Sequence, residues 1–154
     1  MALAVSRKRI LHPMALVQRE RRLSRFAEFL TSLVKELNDL SGEGAAVLVE
    51  GKRDAKALIE LGYSGPLFTV ALLTSSVAAR ERLREEVRQM IILTDLDSEG
   101  RRLASKYVKF LTQEGVKPSL AQRKRLSEAS RGIFLHIENL GRFAPGAQVL
   151  TDIA

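Results

Sequence analysis

Four carboxylates follow two short apolar runs of the sequence, and together they have the chemistry of a cation site. The apolar runs cover residues 45–49 and 90–94 and are bounded by turn residues, which is typical of buried parallel strands. The residues that follow them are Glu50, Asp95, Asp97 and Glu99. If the two strands are neighbours, these carboxylates meet and repel one another unless a cation or proton compensates them. Oxygen-rich groups of this kind suit Mg²⁺ or Mn²⁺, so the sequence predicts a metal site.

The spacing of the second acidic group supports this prediction. Side chains alternate across a strand, so Asp95 and Asp97 are expected to point the same way where the strand ends. Glu99 then falls in the first turn of the following helix, where the helix dipole favours a carboxylate. An alternative role is structural, because Asp97 or Ser98 can cap that helix. Capping needs one such side chain and does not account for three carboxylates at alternate positions.

The two acidic groups also resemble the motifs of a known family. Glu50-Gly51 after one apolar run, and Asp-Leu-Asp-Ser-Glu-Gly at residues 95–100 after another, are similar to the Toprim motifs. The resemblance covers about residues 45–120. Toprim domains occur in type IA and type II topoisomerases, bacterial-type primases, OLD-family nucleases and RecR-type recombination proteins. By size and layout the chain is similar to small stand-alone archaeal Toprim proteins.

The resemblance implies a role for each acidic residue. Asp95 and Asp97 would hold the metal, and Glu99 would help directly or through water. Glu50 would be the general base or acid, which is the role of the strand-end glutamate across the family. Magnesium or manganese would be the cofactor, and the fold would be a compact Rossmann-like Toprim domain.

The order of apolar and helical patterns predicts an α/β fold with four strands. An N-terminal helix is expected near residues 16–40, strands near 45–50, 67–70, 90–94 and 116–120, and helices near 54–61, 76–89 and 99–114. Strands that alternate with helices imply a mainly parallel sheet flanked by helices, with right-handed crossovers. Pro118 places the last strand at an edge, because proline cannot donate a ladder hydrogen bond.

Three parts of the chain follow from this layout. We expect an N-terminal helical arm at residues 1–44, the Toprim domain at 45–120 and a helical or irregular extension at 121–154. The apolar stripe of the arm indicates packing on the domain. A homodimer contact through the same stripe is the alternative, because the spacing is close to a heptad over three turns.

The charge of the chain indicates nucleic acid as a partner. Lysine and arginine number 25 against 18 acidic residues, which gives a net charge of +7. Arginine predominates, and its planar fork suits phosphate. Lys52 and Arg53 follow Glu50 directly and Arg101 follows the second acidic group, so these three are candidates for phosphate contacts. A solvated, salt-bridged surface is the alternative interpretation of the other basic groups.

Cysteine and histidine contribute little to the predicted site. The chain has no cysteine, so disulfides and thiolate metal sites are excluded. Its two histidines, His12 and His136, lie far from the acidic groups in sequence, and we interpret His136 as a packed or surface residue. No apolar run reaches the length of a membrane span, so we expect a soluble, cytoplasmic protein.

These observations lead to a functional hypothesis with one alternative. The chain is expected to carry out magnesium-dependent phosphoryl transfer on RNA or DNA, and the expected reaction is phosphodiester hydrolysis of the nuclease type. The alternative is a non-catalytic nucleic-acid-binding or scaffold module in an RNA- or DNA-processing assembly. The complete set of acidic residues favours the enzyme over the scaffold.

Overall fold

Four parallel strands form the centre of the fold. The computed structural model describes residues 12–131 and 133–145. The strands are β1 (Ala45–Val49), β2 (Leu67–Thr69), β3 (Gln89–Ile92) and β4 (Lys117–Ser119). They pair in the order β2-β1-β3-β4, and every pairing is parallel. The predicted four-stranded parallel sheet is confirmed, and β4 with its Pro118 lies at an edge as expected.

Helices cover both faces of this sheet. They are α1 (Pro13–Ser41), α2 (Lys52–Glu60), α3 (Val70–Ser75), α4 (Val77–Glu86), α5 (Ser98–Gln113) and α6 (Ala121–Ala129), with a 3₁₀ helix at Ile137–Phe143. Alternate strand residues enter two separate cores. Val47 and Ile91 pack with α1, α2, α6 and the 3₁₀ helix, whereas Leu48 and Ile92 pack with α3, α4 and α5. Because both faces are covered, the central strands are apolar except for Gln89 at the start of β3.

The N-terminal helix α1 packs on the domain through its apolar stripe. Six residues of the stripe are buried at helical spacing: Leu23, Phe26, Leu30, Leu33, Val34 and Leu37. Most of them belong to the core that includes β1 and β3. The apolar residues that α1 leaves exposed lie in its first turns, at Met14, Leu16 and Val17. A homodimer contact through this helix stays a prediction, and these first turns are the part of the helix that would serve it.

The region after β2 differs from the sequence-based expectation. A strand was expected to reach Val70 and one helix to cover residues 76–89, but the chain forms two short helices. Thr69 caps α3 by accepting a hydrogen bond from the Leu72 N–H, and Ser76 caps α4 by accepting one from the Ala79 N–H. Ser76 itself has extended backbone angles, which separates the two helices. The capping side chains therefore decide the boundaries here.

The residues after β4 form α6 and the 3₁₀ helix. In α6, Leu126 is buried in the core beneath α1. In the 3₁₀ helix, Ile137 and Leu140 are fully buried in the same core. The parts of the expected arm and extension at residues 1–11, 132 and 146–154 lie outside the described residues. Within the described part of the chain, no helix is both long and apolar enough to cross a membrane.

Candidate metal centre

The two acidic groups meet at the point where the strand order reverses. From β1 the chain crosses to β2 on one side, and β3 lies on the other side of β1. The crevice beyond the carboxyl ends of two such strands is where open α/β sheets bind ligands. Glu50 follows β1 and Asp95 follows β3 at this crevice, and the Asp95 N–H donates a hydrogen bond of 3.1 Å to Oε1 of Glu50. The structure therefore joins residues that lie 45 positions apart.

The loop between β3 and α5 is held in place by hydrogen bonds from several elements. The Thr94 hydroxyl donates to the Gly100 carbonyl at 2.7 Å, and this hydroxyl is buried. The guanidinium of Arg123, on α6, donates through Nε to the Thr94 carbonyl and through Nη2 to the Asp95 carbonyl. The Leu96 N–H donates to the Leu135 carbonyl at 2.7 Å. The loop is thus anchored to α5, to α6 and to the segment before the 3₁₀ helix.

Gly100 allows the loop to lie directly on the first turn of α5. A Cβ atom at this position would lie 1.8 Å from the Asp95 carbonyl oxygen and 2.9 Å from the Asp95 Cα. No real side chain fits at that distance, so glycine is required by close approach. Gly51 differs, because a Cβ there would meet nothing within 4 Å. Of these two glycines, each of which follows a glutamate of the predicted site, Gly100 is the one that positions the site sterically.

Each aspartate of the loop has one carboxylate oxygen fixed by a backbone N–H. Oδ1 of Asp97 accepts from the Gly100 N–H at 2.7 Å and caps α5, which is the structural role considered above. Oδ1 of Asp95 accepts from the Ile137 N–H at 2.8 Å. These bonds orient both carboxylates. Capping uses one oxygen of Asp97, and its Oδ2 lies 3.3 Å from Nε2 of His136.

Asp95, Asp97 and His136 form a group that fits a divalent cation. Within residues 12–131 and 133–145, these three each offer one ligand atom, and the three atoms lie within 4.8 Å of one another. Two ligands of one ion lie at most about two bond lengths apart, roughly 4–5 Å for bonds of ~2.0–2.5 Å. Two carboxylates and one imidazole are common ligand types. The donor set and its spacing therefore suit a divalent metal.

The carboxylate of Glu99 points to a neighbouring arginine. Its two oxygens accept hydrogen bonds from Arg102, at 3.0 Å from Nε and 2.5 Å from Nη2. These hydrogen bonds hold the pKa of Glu99 below its usual value. Glu99 does lie in the first turn of α5, as predicted, but its carboxylate is outside the group of three ligand atoms. A contribution from Glu99 would require it to leave Arg102 or to act through water.

Two further carboxyl groups on the β1 side of the crevice have raised pKa values. Burial raises the pKa of Glu50 most, and the negative charges of Asp95 and Asp54 raise it further. Burial is also the main reason that the pKa of Asp54 is raised. Oδ2 of Asp54 accepts from the Gly51 N–H at 3.0 Å, at the start of α2. Carboxyl groups are therefore concentrated at the end of β1 as well as in the β3–α5 loop.

The three residues predicted to contact phosphate lie at helix starts around the crevice. Lys52 and Arg53 open α2, and Arg101 lies in the first turn of α5. All three are exposed to solvent. Nη1 of Arg53 lies 4.0 Å from Oε2 of Glu138, a distance at which the pair is weak. Their positions leave them accessible to an anionic ligand at the crevice.

Other arginines of the basic groups are engaged with the protein itself. Arg80 donates to the Leu73 and Thr74 carbonyls at the end of α3. Arg84 pairs with Glu114 at 2.9 Å, and Arg125 pairs with Glu36. These contacts match the alternative interpretation of a salt-bridged surface. Nucleic-acid contacts are therefore expected mainly from the basic residues around the crevice.

Sequence reasoning missed two residues of the site, His136 and Arg123. His136 was interpreted as a packed or surface residue because it lies 39 positions from Asp97, yet the fold brings its imidazole to that carboxylate. Arg123 belongs to a basic group of the sequence, residues 123–125, for which nucleic-acid contact and a solvated surface were the two interpretations, but it is half-buried beneath the β3–α5 loop. Burial, followed by the charge of Arg101, lowers its pKa. The apolar residues on both sides of His136, residues 133–135 and Ile137, were the one sequence signal that the segment packs on the domain, and Ile137 is the member that is fully buried.

Comparisons with known proteins identify relatives of both the sequence and the fold. The family model of the Toprim domain matches residues 45–129. A UPF0292 protein of Methanosarcina barkeri is 36% identical over 113 residues, which cover 73% of this chain and 78% of that protein. A UPF0292 protein of Methanocaldococcus jannaschii is 30% identical over 119 residues, which cover 77% and 92%. A solved structure of a protein from Aquifex aeolicus is similar with a TM-score of 0.58 and 28% identity, and covers 70% of this chain and 94% of that one.

Proposed function

This chain belongs to the Toprim domain family, and we propose that it hydrolyses phosphodiester bonds of nucleic acid in a metal-dependent reaction. Membership of the family indicates metal-dependent processing of nucleic acid, and the archaeal relatives align with this chain over most of their length. Hydrolysis of the phosphodiester bond is the specific reaction that we propose for this chain. The observation that carries it is the meeting of Glu50 with the Asp95–Asp97 loop at the switch point of the sheet.

The residues of the crevice would divide into metal ligands and a proton acceptor. Asp95 and Asp97 would hold a magnesium or manganese ion, with Glu99 assisting through water. A cation held there would stabilise the negative charge that develops on the phosphate oxygens. In hydrolysis a water oxygen bonds to phosphorus, the bond to the leaving oxygen breaks, and a proton leaves the water. The Glu50 carboxylate would accept that proton as general base.

Basic residues would place the phosphate backbone over the crevice. Lys52 and Arg53 lie at the N-terminus of α2, where the helix dipole also favours an anion. Arg101 lies one residue beyond Gly100 on the opposite side of the crevice. Arg123 would act differently, since its guanidinium holds the backbone of Thr94 and Asp95 and is half-buried. It would position the loop that carries the ligands.

A comparison of Glu50→Gln with the wild type tests the proposal. A general base contributes about a hundred- to ten-thousand-fold to a rate, so metal-dependent cleavage of labelled RNA and DNA should fall by that factor. Nucleic-acid affinity should be kept, because Gln removes only a negative charge near phosphate. Glu60→Gln is the matched control, since Glu60 lies at the far end of α2 and pairs with Lys56.

Two results of this experiment would argue against hydrolysis by this site. Equal trace activity in wild type and Glu50→Gln would indicate a contaminating nuclease. Nucleic-acid binding without any cleavage in Mg²⁺ or Mn²⁺ would favour the alternative, a non-catalytic binding or scaffold module. Chelator controls on each preparation separate these two results.

A further inference from the structure

We propose that His136 is a nitrogen ligand of the metal, supplied by a segment outside the Toprim domain, and that it shifts the preference of the site from Mg²⁺ towards Mn²⁺. His136 lies beyond residues 45–129, the part that matches the family model. The inference rests on the proposed metal site, but it does not depend on whether the site hydrolyses phosphodiesters. Its first support is that Nε2 of His136 lies 3.3 Å from Oδ2 of Asp97.

The backbone on both sides of His136 is bound to the β3–α5 loop. The residue before it, Leu135, accepts a hydrogen bond from the Leu96 N–H at 2.7 Å. The residue after it, Ile137, donates its N–H to Oδ1 of Asp95 at 2.8 Å. His136 therefore faces the two aspartates because its neighbours are hydrogen-bonded to the same loop. Its side chain cannot leave the site by a simple loop movement without breaking these contacts.

The 3₁₀ helix that follows anchors this arrangement in the core. Ile137 and Leu140 are fully buried with residues of α1, β1 and β3. Gly141 lies so close to α2 that a Cβ atom there would come within 2.8 Å of the Glu60 carboxylate. Burial of two large apolar side chains contributes several kcal/mol in favour of the docked state. The imidazole is thus held by a packed element of the fold.

The imidazole remains accessible to an ion at the site. About half of the His136 side chain is exposed, 49%, whereas the Asp97 side chain is 32% exposed. One oxygen of Asp97 and one of Asp95 already accept backbone hydrogen bonds, which fixes the direction of both carboxylates. The ligand atoms of the three residues lie within 4.8 Å of one another. One ion can therefore contact all three side chains.

A nitrogen ligand changes which ion the site prefers. Magnesium is bound mainly by oxygen and keeps several of its waters, whereas imidazole suits first-row transition ions. Among the ions that carboxylates and water also suit, Mn²⁺ accepts an imidazole more readily than Mg²⁺ does. Two aspartates alone would give an all-oxygen site. Addition of His136 gives a mixed oxygen and nitrogen site, so Mn²⁺ should bind the wild type more tightly than Mg²⁺.

Electron spin-echo spectroscopy of the Mn²⁺-loaded protein detects a bound imidazole directly through its ¹⁴N couplings. We expect these couplings in the wild type, and we expect them to vanish in His136→Gln. The chain has two histidines, so His12→Gln is the matched control and should keep them. Calorimetric titrations should show that His136→Gln weakens Mn²⁺ binding about tenfold or more and changes Mg²⁺ binding less than about threefold. Thermal unfolding of each variant checks the fold.

Several outcomes would overturn the proposal. Mn²⁺ binding without ¹⁴N couplings in the wild type would show that His136 pairs with Asp97 outside the coordination sphere. Couplings that persist in His136→Gln, or Mn²⁺ and Mg²⁺ affinities that fall equally, would exclude the selectivity role. Failure of the wild type to bind either ion would remove the metal site itself, and with it the proposed function. If the wild type shows the ¹⁴N couplings of His136 but cleaves no nucleic acid, the proposed hydrolysis is contradicted and His136 remains a metal ligand.

Discussion

The carboxylates of Asp95 and Asp97 serve the fold and the candidate metal centre together. One oxygen of each accepts a backbone N–H, and ligand atoms of both lie close to the imidazole of His136. Glu50 adds a third carboxylate within hydrogen-bonding distance of the Asp95 backbone. The half-buried guanidinium of Arg123 supplies positive charge close to these carboxylates. A bound cation would compensate the remaining repulsion.

Metal binding should therefore stabilise the folded protein, and this effect should depend on single aspartates. An ion present at about a hundred times its dissociation constant adds roughly 2.7 kcal/mol to the free energy of unfolding. For a chain of this size that corresponds to a rise in melting temperature of about 5–10 °C. Asp95→Asn or Asp97→Asn should abolish the rise in thermal scans with Mg²⁺ or Mn²⁺.

Glu99→Gln tests whether the Glu99 carboxylate is a metal ligand or only the partner of Arg102. The Glu99 side chain is paired with Arg102, so this variant should keep most of the metal-dependent rise in melting temperature. A loss as complete as that of the aspartate variants would place Glu99 among the ligands. An absence of any thermal shift in the wild type at millimolar metal would remove the main support for a metal centre.

The residues that sequence reasoning could identify are those whose pattern is local. Asp95 and Asp97 stand out because they alternate directly after an apolar run, and Glu50 because it ends another. His136 has no such pattern, and its proximity to Asp97 depends on tertiary contacts made by Leu135 and Ile137. Glu99 could bind the metal or pair with Arg102, and the sequence pattern does not decide between these two partners. Long-range packing and side-chain pairing therefore account for the differences between the predicted site and the site in the structure.

At the scale of elements, the β3–α5 loop connects all parts of the site. Strand β3 ends at Ile92, two residues earlier than the sequence suggested, so the acidic residues lie on a loop. The loop keeps its conformation through hydrogen bonds with Arg123, Leu135 and Gly100. These partners belong to α6, to the segment before the 3₁₀ helix and to α5. A loop held by three elements can present ligands as precisely as a strand.

Gly100→Ala should disrupt this loop. A Cβ atom at residue 100 would meet the Asp95 carbonyl oxygen at 1.8 Å, so either the loop or the first turn of α5 must move. We expect the free energy of unfolding to fall by about 3 kcal/mol or more, together with loss of metal binding. Denaturant unfolding and calorimetry measure the two effects.

Gly51→Ala is the matched control for this prediction. Gly51 also follows an acidic residue of the site, but a Cβ atom there meets nothing within 4 Å, and its φ of −148° suits any residue. Stability should change by less than about 1 kcal/mol. Equal destabilisation by both substitutions would show that the close approach at Gly100 is not what holds the loop.

Element boundaries show which part of the fold the sequence determines locally. The long helices α1 and α5 and the parallel sheet follow from clear apolar periodicity and from the alternation of strands with helices. Helix α3 was not predicted because six residues give too little periodicity, and because its start depends on the Thr69 cap. The 3₁₀ helix after α6 was expected only as a helical or irregular extension. Short elements depend on caps and on tertiary contacts, which a periodic pattern does not reveal.

At the scale of the whole molecule, some basic residues are paired with glutamates of the protein, whereas others are accessible to a ligand at the crevice. The net charge is +7, although several acidic residues gather at the crevice. Arg84 and Arg125 are paired with glutamates, whereas Lys52 and Arg101 are exposed at helix starts beside the crevice. Aromatic side chains make up 5% of the chain, so contacts to bases by stacking contribute little. Recognition is therefore expected to depend on the phosphate backbone.

Binding to nucleic acid should accordingly fall steeply with salt and depend little on base sequence. Each phosphate that a cationic side chain neutralises contributes about −0.9 to the slope of log K against log salt for duplex DNA. Lys52→Gln and Arg101→Gln should each make the slope less steep by about one. Arg84→Gln is the control and should leave it unchanged, because Arg84 is paired with Glu114 at 2.9 Å. Anisotropy titrations over a salt series, with duplex RNA, duplex DNA and structured RNA, give these slopes. If none of the three binds at low salt, the basic groups are solvated surface and nucleic acid is not the partner.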